Sequence, residues 1–177
     1  FADPQKVVQY YNWTLDELYY AAELGFDGVC VNEHHQNCYG FMVNPNMMGS
    51  ALAKMTEKLG TALIQLGVTQ PFMDPPIRAA EEYAMLDCMS NGRVVAGLPV
   101  GIGGDFAFSY GKTPVEQRGR YREAHDLMKK AWTEEEIFAW NGKYYQLPMV
   151  NMWPRPVQQP HPPIWIPGVA SPSTWDF

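Results

Sequence analysis

Gly28-Val29-Cys30-Val31-Asn32-Glu33-His34-His35 is the stretch on which the fold turns. Its first half is short and apolar, without polar alternation, as expected of a strand in a covered parallel sheet. Its second half is polar, which places chemistry at the strand's C-terminal end. Upstream, Leu15, Leu18, Tyr19 and Ala22 recur at helical spacing and share one face. Thr14 and Glu17 read as a capping box and Gly25 as a left-handed stop, so a helix from Thr14 feeds this strand.

The helix–strand unit then repeats. Met47 to Lys58 reads as a helix, although Gly49 costs it about 1 kcal/mol against Ala. A strand is expected within 61–68. Asp74-Pro75-Pro76 opens another helix, with Asp74 as N-cap and Ile77, Ala80, Ala84 and Cys88 as its apolar stripe; Asn91-Gly92 ends it. Arg93 to Leu98 is again strand-like and runs into Gly101-Ile102-Gly103-Gly104. Thr113-Pro114-Val115-Glu116 is a second capping box, opening a helix that buries Tyr121, Ala124, Met128 and Ala131. Asn141-Gly142 between aromatic runs signals a hairpin, placed as an insertion in a βα loop. A proline-rich stretch from Pro154 to Pro163 wraps the surface, and Ile164-Trp165-Ile166 is a last strand. Such alternation predicts a parallel sheet covered by helices.

Composition narrows the partners. Of the 177 residues, 46% are apolar and 18% charged, which excludes a disordered or fibrous chain. A formal charge of -6 with 13 Lys and Arg argues against nucleic acid, whose phosphates call for a basic stripe. No run approaches the roughly 20 apolar residues of a membrane span. Cys30, Cys38 and Cys88 are odd in number and form no Cys-x-x-Cys pair, which favours a reducing cytoplasm.

Three strand ends carry candidate residues, because parallel sheets bind ligands there. Strand geometry sends His34 to one side and Glu33 and His35 to the other. A histidine in this position serves as a general acid or base, as a metal ligand, or as a well-bonded loop residue. The glycine-rich loop after Leu98 has neither the dinucleotide glycine order nor a Walker lysine. It either lets a flat ligand approach or is simply a turn. Ser171-Pro172-Ser173-Thr174 follows a strand at a helix start, where hydroxyls and free N–H groups hold a phosphate or merely cap the helix.

The order of segments carries more than any one of them. Glu23-Leu24-Gly25-Phe26-Asp27-Gly28-Val29 runs into Glu33-His34-His35. Ala80 to Asp87 is followed by Asn91-Gly92-Arg93. Then come Ala131-Trp132-Thr133, Trp140-Asn141-Gly142-Lys143-Tyr144-Tyr145, and Pro154-Arg155-Pro156-Val157-Gln158 through Ile166. As a set they resemble the bacterial-luciferase-like superfamily of flavin-dependent monooxygenases. The resemblance implies an α/β, TIM-like (β/α)8 barrel binding reduced FMN, which reacts with dioxygen to give a flavin hydroperoxide that oxygenates a small organic substrate. His34 matches the catalytic histidine position, and His35 and Tyr39 lie on the substrate side. Ser171 and Ser173 grip the flavin phosphate, while Pro99 and Val100 lie against the flavin. Val100 stands where some relatives carry a phosphate-binding arginine, so a deazaflavin is the alternative cofactor, with hydride transfer as its reaction. A non-catalytic flavin-binding relative is a further alternative, and a metal-dependent barrel hydrolase using Glu33 and a histidine is another. Phe41, Phe106, Phe108 and Tyr110 are expected to wall the pocket.

The resemblance also implies a separate flavin reductase, since no dinucleotide fingerprint is present, and a dimer. A closed barrel takes roughly 250 residues. The expectation is therefore a single partial barrel domain over 1–177, with its first strand before Phe1 and its last strands after Phe177.

Overall fold

Asp3 starts the first helix, earlier than the periodicity predicts. The computed structural model describes residues 2–36, 38, 40–101 and 107–168. Helix α1 spans Pro4–Glu23, with the Asp3 carboxylate accepting from the Gln5 N–H at 2.9 Å and proline in the first turn. Thr14 is therefore not a cap. It lies within the helix, and its hydroxyl donates to the Tyr10 carbonyl at 2.9 Å. Gly25 does end the helix, at φ +87°.

Strand β1 is Gly28–Val31 and helix α2 is Pro45–Met55, two residues ahead of the expected start and ending before Lys58. Asn44 caps α2 by accepting from the Asn46 and Met47 N–H groups. Gly49 has a packing reason to sit inside this helix. A Cβ there would lie 2.7 Å from Gln65 Nε2 and 2.9 Å from Leu86 Cδ2, so only glycine lets α2 press onto the sheet.

Strand β2 is Ala62–Leu66 and helix α3 is Ile77–Ser90. Asp74 does not cap α3; its carboxylate meets Lys112 Nζ at 3.0 Å instead. The buried face of α3 is Ala79, Ala80, Tyr83, Ala84, Leu86 and Asp87, whereas Cys88 is exposed. Asp87 turns inward because Gln158 donates to it twice, from its backbone N–H at 2.9 Å and from Nε2 at 2.7 Å. That pair fastens the proline-rich stretch to the helix layer.

Strand β3 is Val94–Gly97, and a 3₁₀ turn at Pro114–Glu116 leads into helix α4, Gln117–Thr133. The expected Thr113 side-chain cap is not made, and Glu116 pairs with Arg120 at 2.9 Å. Strands β4 (Phe138–Asn141) and β5 (Gln146–Val150) form the antiparallel hairpin. It joins α4 to β6 (Ile164–Trp165), so it occupies an αβ connection rather than the expected βα loop.

The main sheet has the order β1-β2-β3-β6, parallel at every step. Val29, Leu63, Val94, Ala96 and Leu98 pack into one cluster with Ala22 of α1, Leu52 of α2, Tyr83 of α3 and Trp132 of α4. These four helices thus cover the same face of the sheet. A doubly wound sheet would carry helices on both faces; helices on one face belong to a TIM-like barrel wall.

Candidate active site

Strand alternation decides where the side chains beyond β1 go. Val29 and Val31 are buried in the clusters on the helix side. Glu33 and His35 continue that parity and His34 takes the other. Two clefts result.

The inner cleft, about 140 Å³, lies across the C-terminal ends of β1, β2 and β3. His34, Asn32, Leu66, Gly67, Pro99 and Gly101 line it, together with Glu33 and Thr69. Sequence distance is overcome here by the parallel register, which sets β1 beside β2 and β2 beside β3 with their C-termini level. His34 is held by its backbone N–H, which donates to the Met42 carbonyl at 2.7 Å.

The strand ends are braced from the helix side. The buried Tyr83 hydroxyl lies 2.8 Å from the Gly97 carbonyl and 3.1 Å from that of Gln65, and accepts from the Val68 N–H at 3.4 Å. Burial pushes its pKa far up, so it stays a donor. Tyr121 donates to the Leu98 carbonyl at 2.8 Å. Gln117 Nε2 reaches the Val100 and Gly101 carbonyls at 2.8 and 3.2 Å.

The outer cleft, about 440 Å³, lies on the helix side of the same loops. Glu33, His35, Thr69, Phe72, Asp74, Tyr110 and Lys112 are among its walls. Glu33 pairs with His35 Nε2, and its other oxygen accepts from the Thr69 N–H at 2.9 Å. The Tyr110 hydroxyl meets His35 Nδ1 at 2.7 Å, with the two rings edge to face. Burial, and then the Glu33 charge, raise the Tyr110 pKa. The remaining charges of the cleft are matched, Lys112 with Asp74 and Arg78 with Glu82, each at 3.0 Å.

Of the residues singled out in the sequence, His34 and Pro99 share the inner cleft, and the Val100 carbonyl is fixed just beyond it. His35 stands in the outer cleft. Tyr39, Ser171, Ser173 and Phe106 lie outside the described residues. Phe41 packs on Tyr10 of α1, 5.7 Å between ring centres, and Phe108 is 83% exposed, so neither walls the inner cleft. Glu33 and Thr69 were not anticipated in these roles; the Glu33–His35 parity was legible, the Thr69 contact was not. Among the described residues no group of three or more His, Cys, Asp or Glu is gathered for a metal. No described helix is long and apolar enough to cross a membrane.

Known proteins resemble the chain in sequence and fold. The chain is 32% identical over 183 residues to the oxygenase component of a flavin-dependent trigonelline monooxygenase from Acinetobacter baylyi, covering 99% of this chain and 48% of that protein. The monooxygenase RslO1 from Streptomyces bottropensis superposes with a TM-score of 0.80 at 29% identity, over 88% of this chain and 48% of that one. The oxygenating constituent of 3,6-diketocamphane monooxygenase from Pseudomonas putida, solved with FMN, gives 0.77 at 20% identity, over 88% and 45%. The chain thus spans about half the length of these relatives. The family model for luciferase-like monooxygenases aligns along residues 4–176, and the chain belongs to that family.

Proposed function

We propose that the chain forms the proton-donating wall of a flavin-dependent monooxygenase site, using reduced FMN and dioxygen to oxygenate a small organic substrate. The observation that carries this reading is the inner cleft, which His34 and Pro99 both line at the ends of three parallel strands. Its residues fit one wall of a planar ring. Leu66 and Pro99 are apolar, and Gly67 and Gly101 present no side chain. At about 140 Å³ the cleft is smaller than the ~300–1,000 Å³ of a complete cofactor pocket, so further residues complete it. Pro99 and Val100 are assigned to the ring, and Ser171 and Ser173 to the phosphate.

Bound reduced flavin supplies the electrons that activate dioxygen. The protein's part is positioning, exclusion of water and control of protons. The His34 backbone is fixed by Met42, and the residue lines the cleft beside Leu66 and Pro99. An imidazole there is placed to act as a general acid. A separate reductase, in keeping with a relative described as an oxygenase component, and a dimeric state belong to the same proposal.

Anaerobic titration with reduced FMN, followed by oxygen, tests it. Saturable binding and oxygen-dependent product formation are expected, and His34→Ala should lower turnover roughly 10²-fold with FMN binding retained. Binding of a reduced deazaflavin in place of FMN, with no oxygen uptake, would favour hydride transfer instead. Unchanged turnover in His34→Ala removes the role assigned to that residue.

A further inference from the structure

We propose that Tyr110, His35 and Glu33 form a proton relay carrying protons from solvent to the inner cleft, a deepening that rests on the reading of His34 as the donor there. A site that excludes water cannot recharge its donor from bulk solvent, so it needs a hydrogen-bonded path through the wall. The three residues make such a path. Tyr110 is 45% exposed, whereas the His35 and Glu33 side chains are only 12% and 8% exposed. Glu33 lines both clefts, so the path ends in the one that holds His34.

The proton count follows from the bonds. A carboxylate at Glu33 only accepts, which sets the ring hydrogen on Nε2, and a neutral ring then takes the Tyr110 O–H at Nδ1. In transfer, the Nε2–H bond breaks as a Glu33 O–H bond forms. The Tyr110 O–H bond breaks as Nδ1–H forms, and a hydronium ion at the exposed edge gives its proton to the phenolate and leaves as water. One proton moves from solvent to Glu33, which gives it up in the inner cleft that it lines and is a carboxylate again, and nothing is oxidised or reduced. The ring returns to its Nε2–H tautomer by exchange with solvent. The raised pKa of Tyr110 keeps it in the protonated, donating form between transfers. Asp74, Lys112, Arg78 and Glu82 face the same cleft but are committed to one another.

A network that merely clamps three loops would show the same distances, so the test uses readouts that a clamp would not move. The chain has four histidines, few enough to resolve by long-range nitrogen–proton NMR on the protein without flavin. His35 is expected as the Nε2–H tautomer, and Tyr110→Phe, which keeps the ring, should shift its Nδ1 resonance. In turnover, Tyr110→Phe and His35→Ala should lower kcat about tenfold or more with KM within about twofold, and raise the solvent deuterium effect. Added imidazole should restore a large part of the His35→Ala rate. An Nδ1–H tautomer, a normal kcat in both variants, or a loss that imidazole does not restore would overturn the relay. Full turnover in His34→Ala would instead sink the proposed function, while the tautomer, measured without flavin, still judges the relay.

Discussion

A single phenol holds the ends of two strands. Tyr83 is fully buried and gathers the Gln65 carbonyl, the Gly97 carbonyl and the Val68 N–H around one oxygen. Gln65 and Gly97 stand at the ends of β2 and β3 and Val68 just beyond β2, around a hydroxyl that water does not reach. Tyr83→Phe should therefore cost about 1–3 kcal/mol, because buried polar groups lose their partner. Urea denaturation reads that loss; an unchanged midpoint would mean the carbonyls find other donors. At this scale the sequence was legible where the information is local. Parity along one strand separates His34 from His35, and the two clefts respect that separation, with Glu33 lining both. Tyr110 was not legible in its role, since it meets His35 from 75 positions away across a loop. No pattern of period 2 or 3.6 encodes such a contact.

Between α4 and β6, the hairpin is organised by a residue outside it. The Glu123 carboxylate on α4 accepts from the backbone N–H groups of Lys143, Tyr144 and Tyr145 and from Trp140 Nε1. This explains why residues 142–145 all lie in the turn, when Asn141-Gly142 alone suggests a two-residue loop. The carboxylate gathers the donors, and β5 starts only at Gln146. Under the turn, Tyr145 is buried, which pushes its phenol up to about 12. Glu123→Ala should destabilise the protein by roughly 2–4 kcal/mol, as an ionised acceptor with several partners is lost. Faster amide exchange confined to 142–145 would mark the cause. The same limit applies to helix starts. Local motifs placed caps at Thr14 and Asp74, but α1 begins at the stronger Asp3-Pro4 signal, and Asp74 is taken up by Lys112.

Across the whole molecule, helix–strand alternation gave the parallel sheet, because each apolar run has one role in a one-sided layer. What alternation leaves open is which loops meet, since that depends on sheet order and on packing over long separations. The helix layer also carries a titratable group, His125 of α4. Burial, then Lys129, lowers its pKa in the fold. The unfolded chain, with a value near ~6.5, therefore binds more protons than the folded one in the window just below it. Stability is full above that window and falls as pH drops through it toward the folded value. A urea midpoint that declines on acidification below about pH 6.5, and a flatter curve for His125→Gln, are expected.

Tight strand ends set limits on redesign. A Cβ on Gly67 would sit 2.0 Å from the Gly97 carbonyl oxygen, and one on Gly97 would sit 2.4 Å from that of Gln65. Libraries that vary the strand ends at these two positions will recover almost nothing but glycine. Leu66 and Pro99, which line the cleft with side chains already, are the places where chemical diversity can enter. Selectivity in this scaffold is thus open to change from its walls and closed to change at its two strand-end glycines.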